Sequence, residues 1–302
     1  MKITNTYDLP APLYLALCHD TYERAGRFSA SELPSPPQMR ALKLRHADAV
    51  VKDASDMLWL LQGKSIHKVI EDMPATSTGM CEKELVHDLG DGNTVSGTSD
   101  LYTGTGEVVD WKVTSIWSFL LGGLKPEWEA QLNTYGWLWR RAGFSVSSLA
   151  IYAILRDWQK SKASAGDNYP PIPFQRIPVP LWPDEQVDHY IRNRVGLHLL
   201  AESLSDDQLP PCTPEDQWAK ETSYAVKKRG QVKAVRVLAS REEADALARS
   251  TVNGYVEVRP GKKTRCEEYC DAAPFCCQRK AEAGETEELK PFAAASQTEA
   301  PY

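Results

Sequence analysis

The run from Ser96 to Val113, S-G-T-S-D-L-Y-T-G-T-G-E-V-V-D-W-K-V, limits the fold of this chain more than any other stretch. Two strand-forming segments flank Gly104-Thr105-Gly106, so the run reads as a β-hairpin. A hairpin brings Asp100 and Asp110 to one place although they stand ten positions apart. Lys112 falls on the same strand face as Asp110, because strand side chains alternate with period 2. Asp110-Trp111-Lys112 continues Val108 and Val109 and precedes Val113. Charged groups in so apolar a strand are costly unless they are paired or hold a metal. Aspartate oxygens suit Mg²⁺ or Mn²⁺. The expectation is a divalent-ion site with an ammonium beside it.

The segments on either side extend this reading. Asp53 to Asp72 has a helical apolar pattern in Met57, Leu58, Leu61, Ile66, Val69 and Ile70. His67 lies on that helix, with Gly63 one turn before it to allow close approach to a strand, and Glu71 one turn after. A neutral imidazole facing Asp100 completes an oxygen-rich site and tilts it towards Mn²⁺. Glu71 and Glu84 are further acidic candidates. Residues 81–89, 95–103 and 107–113 read as a three-stranded meander with a turn at Asp91-Gly92-Asn93. Pro126 opens a helix to about Ala142, stopped by Gly143. Gln131 and Tyr135 share one face of it, four positions apart. Leu149–Leu155 reads as a buried strand, 161–183 as a long connection, and Pro183–Leu204 as an amphipathic helix.

Beyond residue 205 the texture changes. Tyr224–Leu238 reads as a basic hairpin, Ser240–Ser250 as a helix and Gly254–Arg259 as a strand. The expected organisation is 1–205 as one α/β domain, 206–280 as a basic, cysteine-bearing region, and 281–302 as a disordered acidic tail. That tail holds five Glu against one Lys, out of a net charge of −6. Residues 225–236 carry Lys227, Lys228, Arg229, Lys233 and Arg236 with no acid, and 259–265 carry Arg259, Lys262, Lys263 and Arg265 with none. These nine positive charges suit a phosphate-rich partner. No apolar run approaches the ~20 residues that cross a bilayer, and no membrane partner is expected. A cytoplasmic location is expected.

Four of the seven cysteines crowd into 266–277, and in such a protein clustered cysteines bind metal more often than they form disulfides. Cys266, Cys270 and Cys276 have spacings that suit ligands on one loop, in a zinc or iron–sulfur site. The fourth ligand is Cys212, in the irregular P-P-C-T-P loop where nothing else calls for a thiol, or Cys18, in an apolar helical run where a buried structural Cys is ordinary; this context favours Cys212. Cys277 adjoins Cys276 and points elsewhere.

In this order and at these intervals, G-K-S-I-H, S-G-T-S-D, D-W-K and Q-L-N-T-Y resemble the PD-(D/E)XK nuclease superfamily, in particular its RecB-like and phage-exonuclease branch. The resemblance covers residues 29–160 best. It implies an α/β, restriction-endonuclease-like mixed sheet flanked by helices, holding one or two divalent ions, here with a C-terminal cysteine-stapled appendage. His67, Asp100 and Asp110 would be metal ligands, joined by the Trp111 carbonyl. Lys112 would activate the attacking water, and Gln131 and Tyr135 match the branch's helical Q-x-x-x-Y motif. Asp110 stands where many members have Glu. The implied activity is metal-dependent hydrolysis of DNA phosphodiesters, by an exonuclease of phage-type recombination or replication that holds the DNA backbone without reading sequence. The alternatives are a structure-specific endonuclease, or a silent copy that binds DNA, a recombination protein or a single-strand-binding protein. The cysteines resemble those of iron–sulfur-stapled relatives, usually C-x2-C-x5-C with the remaining Cys upstream of the histidine. Here the first spacing is x3 rather than x2; the upstream rule would favour Cys18, and a [4Fe–4S] cluster and Zn²⁺ both stay open.

Overall fold

The computed structural model describes residues 1–19, 25–72, 79–164 and 169–284. The tail expected from 281 falls, from 285 onward, outside the described residues. In chain order the elements begin with β1 (Lys2–Thr4), α1 (Ala11–Cys18), β2 (Phe28–Ser29), α2 (Pro37–Arg45), β3 (Val51–Asp53) and α3 (Leu58–Glu71). The meander follows as β4 (Gly79–Asp88), β5 (Thr94–Thr103) and β6 (Glu107–Thr114). Next come α4 (Ile116–Gly122), α5 (Pro126–Arg141), β7 (Ser148–Leu155), α6 (Lys160–Ala163), β8 (Phe174–Val179) and α7 (Asp184–Ser203). The remainder comprises β9 (Ala219–Lys220), β10 (Ser223–Lys228), β11 (Arg236–Leu238), α8 (Arg241–Ser250), β12 (Gly254–Arg259), β13 (Lys262–Lys263) and α9 (Cys277–Glu282). None of the described helices is long and apolar enough to cross a membrane.

These elements group into two compact units, Met1–Ser35 with Val51–Ser203, and Pro36–Val50 with the chain from Leu204 onward. The first unit is built on a mixed sheet. β5 pairs antiparallel with β4 on one side; on the other it pairs parallel with β2 at one end and antiparallel with β6 at the other. β6 then pairs parallel with β7 through eight consecutive positions, and β7 antiparallel with β8. β8 corrects the expectation of a structureless connection over 161–183: Pro178 lies on a strand at the edge of the sheet, where proline is tolerated.

Helix α5 packs on β4, β5, β6 and β7, and α7 packs on α5. Its inner face is buried through Leu132, Tyr135, Trp137, Leu138 and Trp139, which join Val95, Val108, Leu149 and Ile151 in the main core. A smaller cluster of Leu17, Ala54 and Met57 ties α1 to the start of α3. Helix α3 itself contains no buried residue.

Gly97 lets α5 approach β5 closely. A Cβ at that position would lie 2.8 Å from Cδ1 and Cε1 of Tyr135 and 2.9 Å from Cδ1 of Leu138. Gly97→Ala should therefore destabilise the first unit by about 1–3 kcal/mol, as overpacking does. A melting temperature equal to that of the wild type would remove this account of the contact.

The second unit contains a three-stranded antiparallel sheet in the order β11-β10-β12, with α8 on one face. The positive charges that counting left uncompensated are partly paired. Lys227 and Arg259 share Glu257 at 2.6 and 3.0 Å, Lys262 pairs with Glu267 and Glu268, and Lys263 pairs with Glu282 at 2.6 Å. The paired acids lie outside the windows in which the bases were counted. Lys228, Arg229, Lys233 and Arg236 have no ion pair among the described residues.

Candidate functional site

A regular strand would not carry Asp100 where it is. Ser99 Oγ accepts a hydrogen bond from Trp139 Nε1 at 2.8 Å, and the Tyr102 ring stacks on Trp139 at 4.3 Å. Residues three apart cannot both face one helix in a period-2 strand, so the alternation of β5 slips between them, at Asp100. The neighbouring strand slips with it. Cys81 pairs with Leu101 and Lys83 with Ser99, but the pair between them, Glu82 opposite Asp100, is missing. Glu82 has φ of 48°, in the left-handed region that a residue with a Cβ rarely adopts.

On its other side β5 parts from β6. Their register holds only at Leu101–Val109 and Tyr102–Val108. Past those pairs the Asp100 carboxylate takes the place of a backbone carbonyl, with Oδ2 accepting from the Trp111 N–H. Oδ1 lies 3.1 Å from Nδ1 of His67 on α3. His67 Nδ1 or Nε2, a Glu82 carboxylate oxygen and an Asp100 carboxylate oxygen all fall within 4.8 Å of one another. Among the described residues, no other set of three His, Cys, Asp or Glu groups is so close. An imidazole and two carboxylates suit Mn²⁺ or Mg²⁺.

Asp110 is 3% exposed and forms an ion pair at 2.6 Å with Lys112. Gln131 on α5 joins both: Lys112 Nζ donates to its Oε1 at 3.3 Å, and its Nε2 donates to Tyr135 Oη at 2.8 Å and, at 3.5 Å, to Asp110 Oδ1. Hence the sequence-expected residues converge in two adjoining groups. Asp100 and His67 lie with Glu82, while Asp110, Lys112, Gln131 and Tyr135 form a hydrogen-bonded network beside them. Trp111 contributes its backbone between the two, its ring packed edge-on against Tyr152 at 5.0 Å.

Glu82 is the residue that sequence reasoning missed. Glu71 pairs with Lys68 at 3.2 Å and Glu84 is exposed. The signal was present in the turn: counting outward from Asp91 places Glu82 opposite Asp100. A one-residue slip would have reversed the answer, since register decides which face each residue takes. Gly63 also differs from expectation: a Cβ there would meet nothing within 4 Å, so the glycine leaves open space beside α3 rather than a close contact.

Burial and the Asp100 charge push the Glu82 carboxyl up to about 7, against a partial offset from His67. Burial also raises Asp110, with Lys112 pulling it back and Asp100 adding to the rise. A hydrogen bond to Asp100 raises His67, opposed by burial. Carboxylates raised in the folded state stabilise it below their ordinary values, and that stability is lost as pH rises through the folded values. The metal-free protein should thus lose stability between about pH 4 and 7. A bound divalent ion reverses the sign by holding the carboxylates ionised. Mn²⁺ should therefore raise the melting temperature strongly at pH 8 and little at pH 5, a difference that Glu82→Gln reduces. An equal shift at both pH values would argue against ligation by these groups.

In the second unit Cys212, Cys266, Cys270 and Cys276 line one cavity with apolar walls that include Met39 and Leu42. The Gln278 amide clamps Cys212, accepting from its backbone N–H at 2.8 Å and donating to its carbonyl at 3.0 Å. Burial pushes the Cys212 thiol up to about 12, and burial also raises Cys266 and Cys270. Cys18 ends α1 in the first unit, beside Tyr14. Cys277 is exposed.

No family model matches this chain, and no curated protein does. Among solved structures it is similar to SSO0001, with a TM-score of 0.42 and 15% identity over 61% of this chain and 82% of that one. It is also similar to an alkaline exonuclease (LHK-Exo) from Laribacter hongkongensis, with a TM-score of 0.35 and 15% identity over 59% of this chain and 88% of that one. At such identity the residues of this chain must carry the functional reading.

Proposed function

We propose that this protein is a divalent-metal-dependent DNA nuclease. The observation that carries the reading is the meeting of His67, Glu82 and Asp100 with the buried Asp110–Lys112 pair at the fork between β5 and β6. A Mg²⁺ or Mn²⁺ ion held there would supply Lewis-acid polarisation of a phosphate and would acidify a bound water. His67, Glu82 and Asp100 would hold the ion, and Asp110 and the Trp111 carbonyl would join them. Lys112 orients the attacking water and stabilises charge on the phosphate. Gln131 keeps the lysine on Asp110 until substrate arrives, and Tyr135 fixes the Gln131 amide. Water attacks phosphorus and loses a proton to solvent, the bond to the leaving oxygen breaks, and that oxygen takes a proton from solvent. The acid-free cations Lys228, Arg229, Lys233 and Arg236 bind DNA backbone without reading sequence.

Exonuclease action in phage-type recombination or replication is the finer reading, and it rests on the motif resemblance alone. Mn²⁺- or Mg²⁺-dependent digestion of linear DNA tests the assignment. Lys112→Ala should lower the rate at least 100-fold, within the range that positioned electrostatic groups contribute, while Mn²⁺ still raises the melting temperature. Digestion by the variant at the wild-type rate would sink the catalytic role. Cleavage of closed circles would turn the reading to an endonuclease.

The four-cysteine cavity is read as the site of a [4Fe–4S] cluster or a zinc ion. The cysteine trio resembles that of iron–sulfur-stapled relatives, which favours the cluster, and Cys212, which lines the same cavity as the trio, is taken as its fourth ligand. Anaerobically purified protein should contain iron and absorb near ~400 nm. Cys212→Ser should lose that band and Cys18→Ser keep it; the opposite pattern, or a colourless zinc protein, would overturn this reading.

A further inference from the structure

Helix α3 carries more than a ligand. Trp59, Gly63 and His67 stand at successive four-residue steps, so they share one face of the helix, and eight residues span about 12 Å. Trp59 is 65% exposed, yet it is not loose: the Arg156 guanidinium lies 4.5 Å from its ring centroid. Arg156 is positioned by the sheet, since its N–H donates to the Thr114 carbonyl at 3.0 Å. Thr114 is four residues along β6 from Asp110, about 13 Å at strand spacing.

The two lengths match. The Trp59–Arg156 contact and the His67–Asp100 contact therefore stand about 12 Å apart along α3, and a Cβ at Gly63, midway between them, would meet nothing within 4 Å. About 12 Å holds roughly three nucleotides stacked at about 3.4 Å each. Cations and acids both stand nearby, with Asp157 feeling the Arg156 charge and Glu127 the Lys125 charge. The Arg156 guanidinium has no ion pair among the described residues, and Lys125 is close enough to Lys112 for their charges to interact.

We propose that the free face of Trp59, braced by Arg156, is a stacking platform for an unpaired nucleobase of the strand whose phosphate enters the His67–Asp100 site. This deepens the nuclease reading and rests on it. An indole offers a flat surface that any base can use, while a guanidinium behind it leaves N–H groups for a neighbouring phosphate. Inside a duplex each base is already stacked on both sides, so the platform selects a single-stranded segment or a frayed end.

The test measures binding of fluorescent single-stranded oligonucleotides by the full chain in a Lys112→Ala background, with Mg²⁺ present. One oligonucleotide carries bases throughout, and a second of equal length has abasic sites in place of its nucleosides. Trp59→Ala should weaken binding of the first about 10-fold, as loss of one base–aromatic stack does, and leave the second unchanged. Trp59→Phe should retain most of the affinity for both. Arg156→Ala should lower the salt dependence by about one phosphate contact. Equal affinity of Trp59→Ala and its parent for the base-bearing strand would overturn the proposal, as would an equal loss on both strands. If the otherwise wild-type protein digests DNA while Trp59→Ala binds unchanged, the platform fails and the nuclease reading stands. If the protein neither binds nor digests DNA, both fail.

Discussion

Asp110 is buried on a strand that has neighbours on both sides, and a carboxylate in that position is tolerated only with a partner. Lys112, two residues on, supplies the opposite charge on the same face, and Gln131 bridges the two from α5. Removing one member of such a pair leaves an uncompensated buried charge, which costs several kcal/mol. The requirement determines what can cover that face of β6. It must be a helix with a polar amide at this point and apolar residues elsewhere. Helix α5 has that character, with Gln131 and Tyr135 among Leu132, Leu138 and the buried tryptophans.

The fork beside that pair shows how a sheet can part without leaving its backbone groups unpaired. β5 and β6 separate after two pairs, and the released Trp111 N–H is satisfied by the Asp100 carboxylate rather than by a backbone oxygen. β2 pairs with β5 beyond the fork, so β5 is not left as an open edge. The distortion passes to β4, where Glu82 takes a left-handed backbone conformation that costs of order 1–3 kcal/mol. The strain falls on the residue whose carboxylate completes the trio with His67 and Asp100.

The second unit obeys a different constraint. Its small sheet buries few large side chains, with Ala225, Val226 and Ala244 the fully covered positions of β10 and α8. Cys212, Cys266, Cys270 and Cys276 line one cavity with Met39 and Leu42 of α2, so the Cys212 loop and the C-terminal turns meet α2 there. The His46 ring, stacked on Phe275 at 4.3 Å and paired with Asp206 at 2.7 Å, joins α2 to the same region without a metal.

Much of this was legible in the chain. The meander, the proline-started α5 and the convergence of Asp100, Asp110 and Lys112 follow from alternation, turn chemistry and the cost of charge in an apolar strand, all of which are local. β8 was not legible, because a strand with Pro178 at a sheet edge has no local signature against a proline-rich connection. Nor was the pairing of the C-terminal bases, whose acids lie outside any basic window. Sequence by itself determined the elements on which His67, Asp100, Asp110, Lys112, Gln131 and Tyr135 lie. Only the tertiary structure decided that Glu82 rather than Glu71 or Glu84 faces Asp100, that Gly63 opens space rather than closing it, and that Cys212 shares a cavity with the three C-terminal cysteines. The reason is physical: each depends on strand register, a break in alternation or a contact between distant segments, and no local periodicity encodes these.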